Sequence, residues 1–413
     1  MGPGGVRVRP LGGSRSGEMR ITRFLRNQRV TTQEMFATAA RRTATRVEGR
    51  HVLVPQDTTS LRDDGKDRGV YLHPAIAVDA MNGTLLGLVH AEVLHRSGKQ
   101  PVHCNKRPLA DKESHCWIEA TQRAGELLAA GAAHVTVIND REGDIYEEFV
   151  CRPEGVDVVG RCHHDRTLVG GARLFDATCD VPELGRETIK LPAAPGRRAR
   201  KAVLALRACQ VEIKRPKRNR AAEAAKLPAS VWLSFVEAYE IEPPAGASPI
   251  HWRLLTTHGV STLTEARQIT LFYRARWTIE QVFRVMKTHG FDIEAVRIED
   301  TAPFAKLAAA TLIAAVQVQQ MLHERDGAAG RPLADVLDPE DQPALEAVCQ
   351  TLEGKTQRQT NPHPPGSLAY AAWVCARLGG WTGYYGKPGP VVILQGFLQF
   401  KAMLHGWRIR RIV

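Results

Sequence analysis

The sequence has no C-x-x-C pair, no apolar run of the roughly 18 residues that span a bilayer, and no internal repeat. Its eight cysteines (Cys104, Cys116, Cys151, Cys162, Cys179, Cys209, Cys349 and Cys375) are scattered. His163 and His164 follow Cys162 but lack a second ligand pair at zinc spacing. Neither a structural zinc nor a disulfide framework is expected, and reduced thiols are the default. The longest apolar stretch, Leu307 to Val316, runs on into Gln317, Gln319 and Gln320, which marks a buried helix rather than a membrane span. The basic N-terminus has no hydrophobic segment behind it, so it does not read as a signal peptide. A cytoplasmic protein without a membrane partner is expected.

Acidic residues are in deficit: 56 Lys and Arg stand against 44 Asp and Glu, a net charge of +12. Such an excess favours a polyanionic partner, nucleic acid first, although simple solubility charge accounts for it equally well. With 43% hydrophobic residues in 413, the chain has enough apolar material for two or three folding units.

Residues 1 to about 18 are rich in Gly, Arg and Ser without periodicity and are expected to be disordered. Thr31-Thr32-Gln33-Glu34 has the form of a capping box ahead of a helix to about Val47. A strand is expected from His51 to Asp57. Ala75–Met81 and Thr84–Val93 flank Asn82-Gly83, a hairpin signal. A helix over Glu113–Ala130 and strands over Val135–Asn139 and Val156–Arg161 follow. Between Arg186 and Arg220 there are twelve Lys or Arg and two Asp or Glu, and short alternating apolar spans on either side point to an inserted β-rich subdomain. Beyond it come a strand over Trp252–Thr256, one long helix over Leu263–Thr288, another over Pro303–Glu324, helical sequence over 332–350, and a compact helical unit starting at Ser367.

The helix over Leu263–Thr288 carries the most informative pattern. Tyr273, Arg276, Glu280, Arg284 and Lys287 are spaced 3, 4, 4 and 3, which puts all five within roughly 80° around a helix. Ala275, Ile279, Val282 and Met286 fall on the opposite side and can pack on a sheet. A solvated face laced by i,i+4 ion pairs is the ordinary explanation of a charge run. One carboxylate among three cations and a phenol instead suits a metal-bound phosphate.

This Tyr-x2-Arg-x3-Glu-x6-Lys spacing resembles the signature of the YREK, or insertion-sequence-four, group of DDE transposases. The resemblance extends outward. Asp57-Thr58-Thr59-Ser60-Leu61 looks like the segment of the group's first catalytic aspartate, and Asp140-Arg141-Glu142, directly after a strand, looks like that of the second. Lys112-Glu113-Ser114 with Trp117 resembles the group's pattern between them. An aspartate at a strand end is by itself more often a turn or cap residue. The resemblance implies an α/β fold: an RNase-H-like mixed sheet flanked by helices, interrupted by a β-rich insertion, with a C-terminal helical dimerisation unit. It implies Asp57, Asp140 and Glu280 as catalytic metal ligands for two Mg2+ ions, with Mn2+ as the substitute, and Tyr273, Arg276, Arg284 and Lys287 as DNA contacts. Trp252 stands 21 residues before Tyr273, where transposon-five-like members carry a tryptophan that stacks on a flipped base; a core tryptophan on a buried strand is the alternative. The basic insertion is either a DNA backbone contact or a solvated loop.

The run Ser367-Leu368-Ala369-Tyr370-Ala371-Ala372-Trp373-Val374, with Leu378-Gly379-Gly380-Trp381-Thr382-Gly383-Tyr384, resembles the group's dimerisation segment and implies a homodimer on DNA, at transposon ends and target. The expected division is 1–50 (disordered start and remnant of a DNA-binding region), 51–167 and 251–325 (two parts of the catalytic core), 168–250 (insertion) and 326–413 (dimerisation). Arg20 to Asn27 resembles the segment just before the catalytic domain, and only about nineteen residues precede it where full-length members place a helical end-binding domain. A misassigned start or a truncated copy is therefore expected. Two functions compete: a cut-and-paste DDE transposase, and an N-terminally truncated inhibitor that binds DNA and pairs with a full-length enzyme. The YREK face and the C-terminal Gly-Trp segment argue against a third, an unrelated RNase-H-like nuclease.

Overall fold

In the computed structural model, residues 6, 8–63, 65, 68–98, 107–191, 198–216 and 226–410 are described. The chain begins with helices α1 (Val8–Gly12), α2 (Arg15–Arg26) and α3 (Thr32–Ala44), and so the Gly/Arg-rich start is helical from Val8, against the expectation of disorder over the first 18 residues. Residues 1–5 and 7 lie outside the described residues. The order in α2 comes from its cap, where the Ser14 side chain accepts from the Gly17 N–H. At α3, Thr31 accepts from the Glu34 N–H, but the Glu34 carboxylate turns outward to Arg41 and Thr38, so only half of the expected box forms.

Strands β1 (His51–Pro55), β2 (Thr59–Asp63), β3 (Arg68–Asp79) and β4 (Leu85–Ser97) come next. The β3–β4 hairpin forms about Asn82-Gly83 with Gly83 at φ 71°, but its loop has four residues, since the Asp79 N–H donates to the Thr84 carbonyl. Helix α4 (His115–Ala129), β5 (His134–Asn139), helix α5 (Tyr146–Cys151) and β6 (Val156–Arg161) follow in the expected order. β1, β5 and β6 are parallel, while β3 runs antiparallel between β1 and its neighbours β2 and β4. This is an α/β fold whose mixed sheet, flanked by helices, is consistent with an RNase-H-like DDE fold.

The expected insertion is β-rich, but its strands join the main sheet. β7 (Gly185–Leu191), β8 (Arg200–Lys214) and β9 (Ser230–Ile241) form an antiparallel run that continues through β10 (His251–Thr256) onto β6. The result is one ten-stranded sheet. Part of the basic stretch, at 192–197 and 217–220, lies outside the described residues; within the rest, Arg200 is turned inward onto Glu240.

The expected single helix over Leu263–Thr288 is two, α6 (Leu263–Ala275) and α7 (Trp277–Met286). At the joint, the Arg276 N–H reaches the Tyr273 carbonyl and the Ile279 N–H reaches the Arg276 carbonyl, both i to i−3, so the ladder tightens there without a proline. A complete capping box starts α6, at Thr262 and Glu265.

Helix α8 (Thr301–Glu324) is long and apolar enough to cross a membrane by length and composition, yet it is the core helix: Phe304, Ala308, Leu312, Ala315 and Val318 are fully buried. Residues 332–350, expected to be helical, are short 3-10 turns at Leu333–Asp335 and Pro339–Asp341 before α9 (Gln342–Leu352). Arg46 and Arg331 both pair with Asp335 and donate to the Leu86 and Leu85 carbonyls of β4, which ties this segment to the sheet. The chain ends in α10 (Leu368–Leu378) and α11 (Pro390–Arg410). The Ser367 side chain caps α10, and residues 368–376, expected in a dimer contact, are all buried within the monomer.

α10 and α11 cross at two glycines. A Cβ on Gly396 would lie 1.6 Å from the Cys375 carbonyl oxygen, and one on Gly379 2.0 Å from that of Val392. The backbones can be this close only without side chains between them. Gly396→Ala is accordingly expected to lower stability by about 1–3 kcal/mol or more, as overpacking does. Thermal melting followed by circular dichroism checks it, and an unchanged melting temperature would show that the contact yields without cost.

Candidate active site

The first two carboxylates are set by strand register. β1 and β5 run parallel with Pro55 opposite Ile138, and the Gln56 N–H donates to the Ile138 carbonyl. Two residues further on, Asp57 and Asp140 therefore leave the same end of the sheet on neighbouring strands. The Asp57 backbone is held by the Pro74 carbonyl, and its Oδ1 accepts from the Thr58 N–H at 2.8 Å. Asp140 Oδ1 accepts from the Glu142 N–H at 2.8 Å, so this aspartate also serves its turn.

Trp117 of α4, four per cent exposed, is wedged between the two loops. On one side a Cβ on Gly143 would come within 2.8 Å of the indole, so the Asp140 loop closes over it with only a glycine there. On the other side the indole meets His73 edge-on, ring centres 4.6 Å apart. His73 belongs to a buried chain that sequence reading missed. Burial pushes its imidazole down to about 3, leaving it neutral with one donor and one acceptor. Gln56 Oε1 can only accept, so His73 Nε2 donates to it at 3.0 Å, and Nδ1 accepts from the Thr58 hydroxyl at 2.8 Å. Gln56 Nε2 in turn donates to Glu148 Oε1 at 2.7 Å. Burial raises the Glu148 carboxyl to about 8, despite hydrogen bonds that favour its charge. The available signal was one polar residue, Gln56, at the end of the apolar strand Val52 to Pro55.

Glu280, on α7, comes to these aspartates through Arg276. The guanidinium lies 2.6 Å from Glu280 Oε1 and 3.5 Å from Asp57 Oδ2. Burial opposes the charge of Arg276, but Tyr273, Glu280 and Asp57 outweigh it and hold the group protonated. Asp57 is pushed up to about 7, first by burial and then by the Asp140 carboxylate, with Arg276 opposing and Glu280 adding to the rise. The three carboxylates thus share one electrostatic site, although their oxygens do not all lie within 4.8 Å of one another.

The remaining residues of the pattern have diverse surroundings. Ile279, Val282 and Met286 are buried, as the opposite face predicts. Tyr273 is also buried, 5.6 Å from the partly buried Trp252 ring and inclined 66° to it. Trp252 sits at the margin of the core beside the site. Arg284 stacks on Trp277 at 4.9 Å. Lys287 lies just past the end of α7, and its ammonium pairs with Glu294 at 2.7 Å.

The mixed sheet thus brings two carboxylates to the shared end of two parallel strands, with a third beside them on a helix. Residues 185–317 match the model of the family described as transposase DDE domain. The matched span holds Trp252, Tyr273, Arg276, Glu280, Arg284 and Lys287, while Asp57 and Asp140 lie ahead of it. The match supports a DDE transposase family, and with it a transposase whose partner is DNA and whose activity depends on metal ions. The donor set fits such ions: hard carboxylate oxygens, one carboxyl raised first by burial and then by the Asp140 charge, are what a hard divalent cation would relieve.

The raised Asp57 has a signed consequence for stability. Its folded value, about 7, lies above the ordinary 3.8, so the stability tied to its protonated form is full below about pH 4 and lost as pH rises towards 7. In metal-free protein, Asp57→Asn is expected to be more stable than the parent by on the order of 2–4 kcal/mol at pH 8, with the difference vanishing near pH 4. Denaturant unfolding in EDTA across this range measures it, and a difference independent of pH would remove the charge conflict from the account.

Proposed function

We propose that the protein is a cut-and-paste DDE transposase of the insertion-sequence-four type, with Asp57, Asp140 and Glu280 as its metal ligands. The observation that carries the reading is the convergence of these three carboxylates, with Asp57 bridged to Glu280 by Arg276 and raised by burial, then by Asp140 and Glu280. Phosphodiester cleavage and strand transfer are in-line displacements, to which two bound Mg2+ or Mn2+ ions would supply Lewis-acid stabilisation of the attacking and leaving oxygens. Asp57, Asp140 and Glu280 would together hold these ions. Arg276, released from a carboxylate, would hold a nonbridging phosphate oxygen beside the cut, and Tyr273 would fix the angle of Arg276 from below. Lys287 and Arg284 would contact the flanking backbone, Lys287 after exchanging Glu294 for a phosphate. The exposed Tyr384, Tyr385, Val391, Met403 and Ile409 at the C-terminal end support a homodimer through the 326–413 region. A cytoplasmic, nucleoid-associated location follows from the same reading.

Asp57→Asn, Asp140→Asn and Glu280→Gln should each abolish metal-dependent cleavage of DNA bearing the element's flanking repeats while leaving the circular dichroism spectrum unchanged. Near-normal nicking by any one of them would remove that residue from the site.

Trp252, in contact with Tyr273 and only partly buried, is proposed to stack on a base extruded at the cut. Such stacking is worth about 1–3 kcal/mol, so Trp252→Ala should slow hairpin formation or resolution roughly ten- to a hundredfold while sparing the first nick. A matched fall in melting temperature and in every catalytic step would assign the ring to the core instead.

A further inference from the structure

At the other end of the sheet, about 20 Å along β1 from Asp57, four residues with no place in the transposase reading meet. His51 and His134 are the first residues of β1 and β5 and lie opposite each other in the parallel register. Asp157 is the second residue of β6, and His258 follows β10 by two residues. His134 Nε2 stands 2.8 Å from Asp157 Oδ2, and His258 Nδ1 stands 3.4 Å from that same oxygen. Among the described residues, His134, Asp157 and His258 form the one His/Cys/Asp/Glu trio whose ligand atoms all fall within 4.8 Å.

We propose that His134, Asp157 and His258 form a second metal site, for a divalent transition ion of the zinc class, which clamps β5 and β6 to the chain leaving β10. Two imidazoles and one carboxylate are the borderline donors that such ions prefer to the all-oxygen sets of Mg2+. With bonds of 2.0–2.1 Å, tetrahedral ligand atoms lie about 3.3 Å apart, and the two separations above bracket that figure.

The surrounding groups free the right atoms. The Thr257 hydroxyl donates to Asp157 Oδ1 at 2.6 Å, leaving Oδ2 to face the histidines. The Thr136 hydroxyl is 3.0 Å from His258 Nε2, which leaves Nδ1 as the free ligand atom, and 2.9 Å from His51 Nε2. Asp157 and His258 are thus each tied by the other polar atom, an orientation that characterises metal ligands. The Phe272 ring closes one side, 4.9 Å from His51 and 5.8 Å from His258. Side-chain exposures of 37%, 22% and 19% for His134, Asp157 and His258 leave the other side open for an ion and a water as fourth ligand. Phe272 immediately precedes Tyr273, so the clamp would fix α6 at the residue before the site pattern begins.

The test uses untagged full-length protein stripped with EDTA and carrying Asp57→Asn, Asp140→Asn and Glu280→Gln, so that the carboxylate site at the far end contributes nothing. Co2+ titration should give one equivalent of the visible absorption of four-coordinate Co2+, Zn2+ should displace it, and Zn2+ should raise the melting temperature. His134→Ala and His258→Ala should each abolish the signal, and Thr136→Val should weaken affinity roughly 10–100-fold. No signal in the parent, or one that survives both histidine substitutions in folded protein, would overturn the proposal and leave the trio a hydrogen-bonded cluster. The readout is independent of DNA cleavage, so it stands or falls apart from the transposase reading.

Discussion

A partly desolvated cluster of like charge is the constraint around which this molecule is arranged. Asp57, Asp140 and Glu280 share one end of the sheet, and three anions cannot remain there without a cation or a proton. In the protein alone both remedies are visible: Arg276 spans Asp57 and Glu280, and Asp57 is pushed up to about 7. The Tyr273 ring, 5.9 Å from the guanidinium, and the Trp252 ring behind it complete the wall on that side. Arg276 thus provides, in the protein alone, the positive charge that the cluster needs.

The frame that holds the anions against their repulsion is apolar and distant in sequence. Parallel pairing of β1 with β5 decides that Asp57 and Asp140 emerge side by side. Trp117 then fixes both loops, packing on Gly143 behind Asp140 and on His73 behind Thr58. Behind them the Glu148–Gln56–His73–Thr58 chain supplies polar partners where an apolar core would leave the backbone of the Asp57 loop free to slide. Buried polar chains of this kind cost stability unless fully satisfied, and they specify one arrangement in return.

Much of this was legible in the sequence, for local reasons. Asp57 and Asp140 are singled out by the resemblance of their segments to a known pattern, and the order strand, hairpin, helix, strand depends on neighbouring residues only. The Ile279, Val282 and Met286 face followed from helical periodicity. What was not legible is non-local or finer than periodicity. Spacing of 3 and 4 fits an unbroken helix and a jointed one equally, so the break at Arg276 left no trace. The β7–β9 strands read as a separate unit because their edge pairing, β9 on β10, connects segments that periodicity does not relate. Glycine and arginine content pointed to disorder at residues that a single serine cap organises into α2. His134 and His258 are more than a hundred residues apart, and only the register of β5, β6 and β10 brings them together.

The joint at Arg276 connects these observations. The Arg276 guanidinium reaches Glu280, one turn on in the second helix, and Asp57 across the site. At Arg276 the ladder switches to i−3 bonds, so α6 and α7 are fixed separately on either side of it. α6 is anchored by its capping box at Thr262 and by Phe272 against the histidine cluster. α7 is anchored by Ile279, Val282 and Met286 in the core, alongside α8. Glu280 lies on the second of these helices, and Arg276, one turn earlier, at the joint between them. The same break that defeats the simple helical reading places at the joint the residue whose guanidinium pairs with both Asp57 and Glu280.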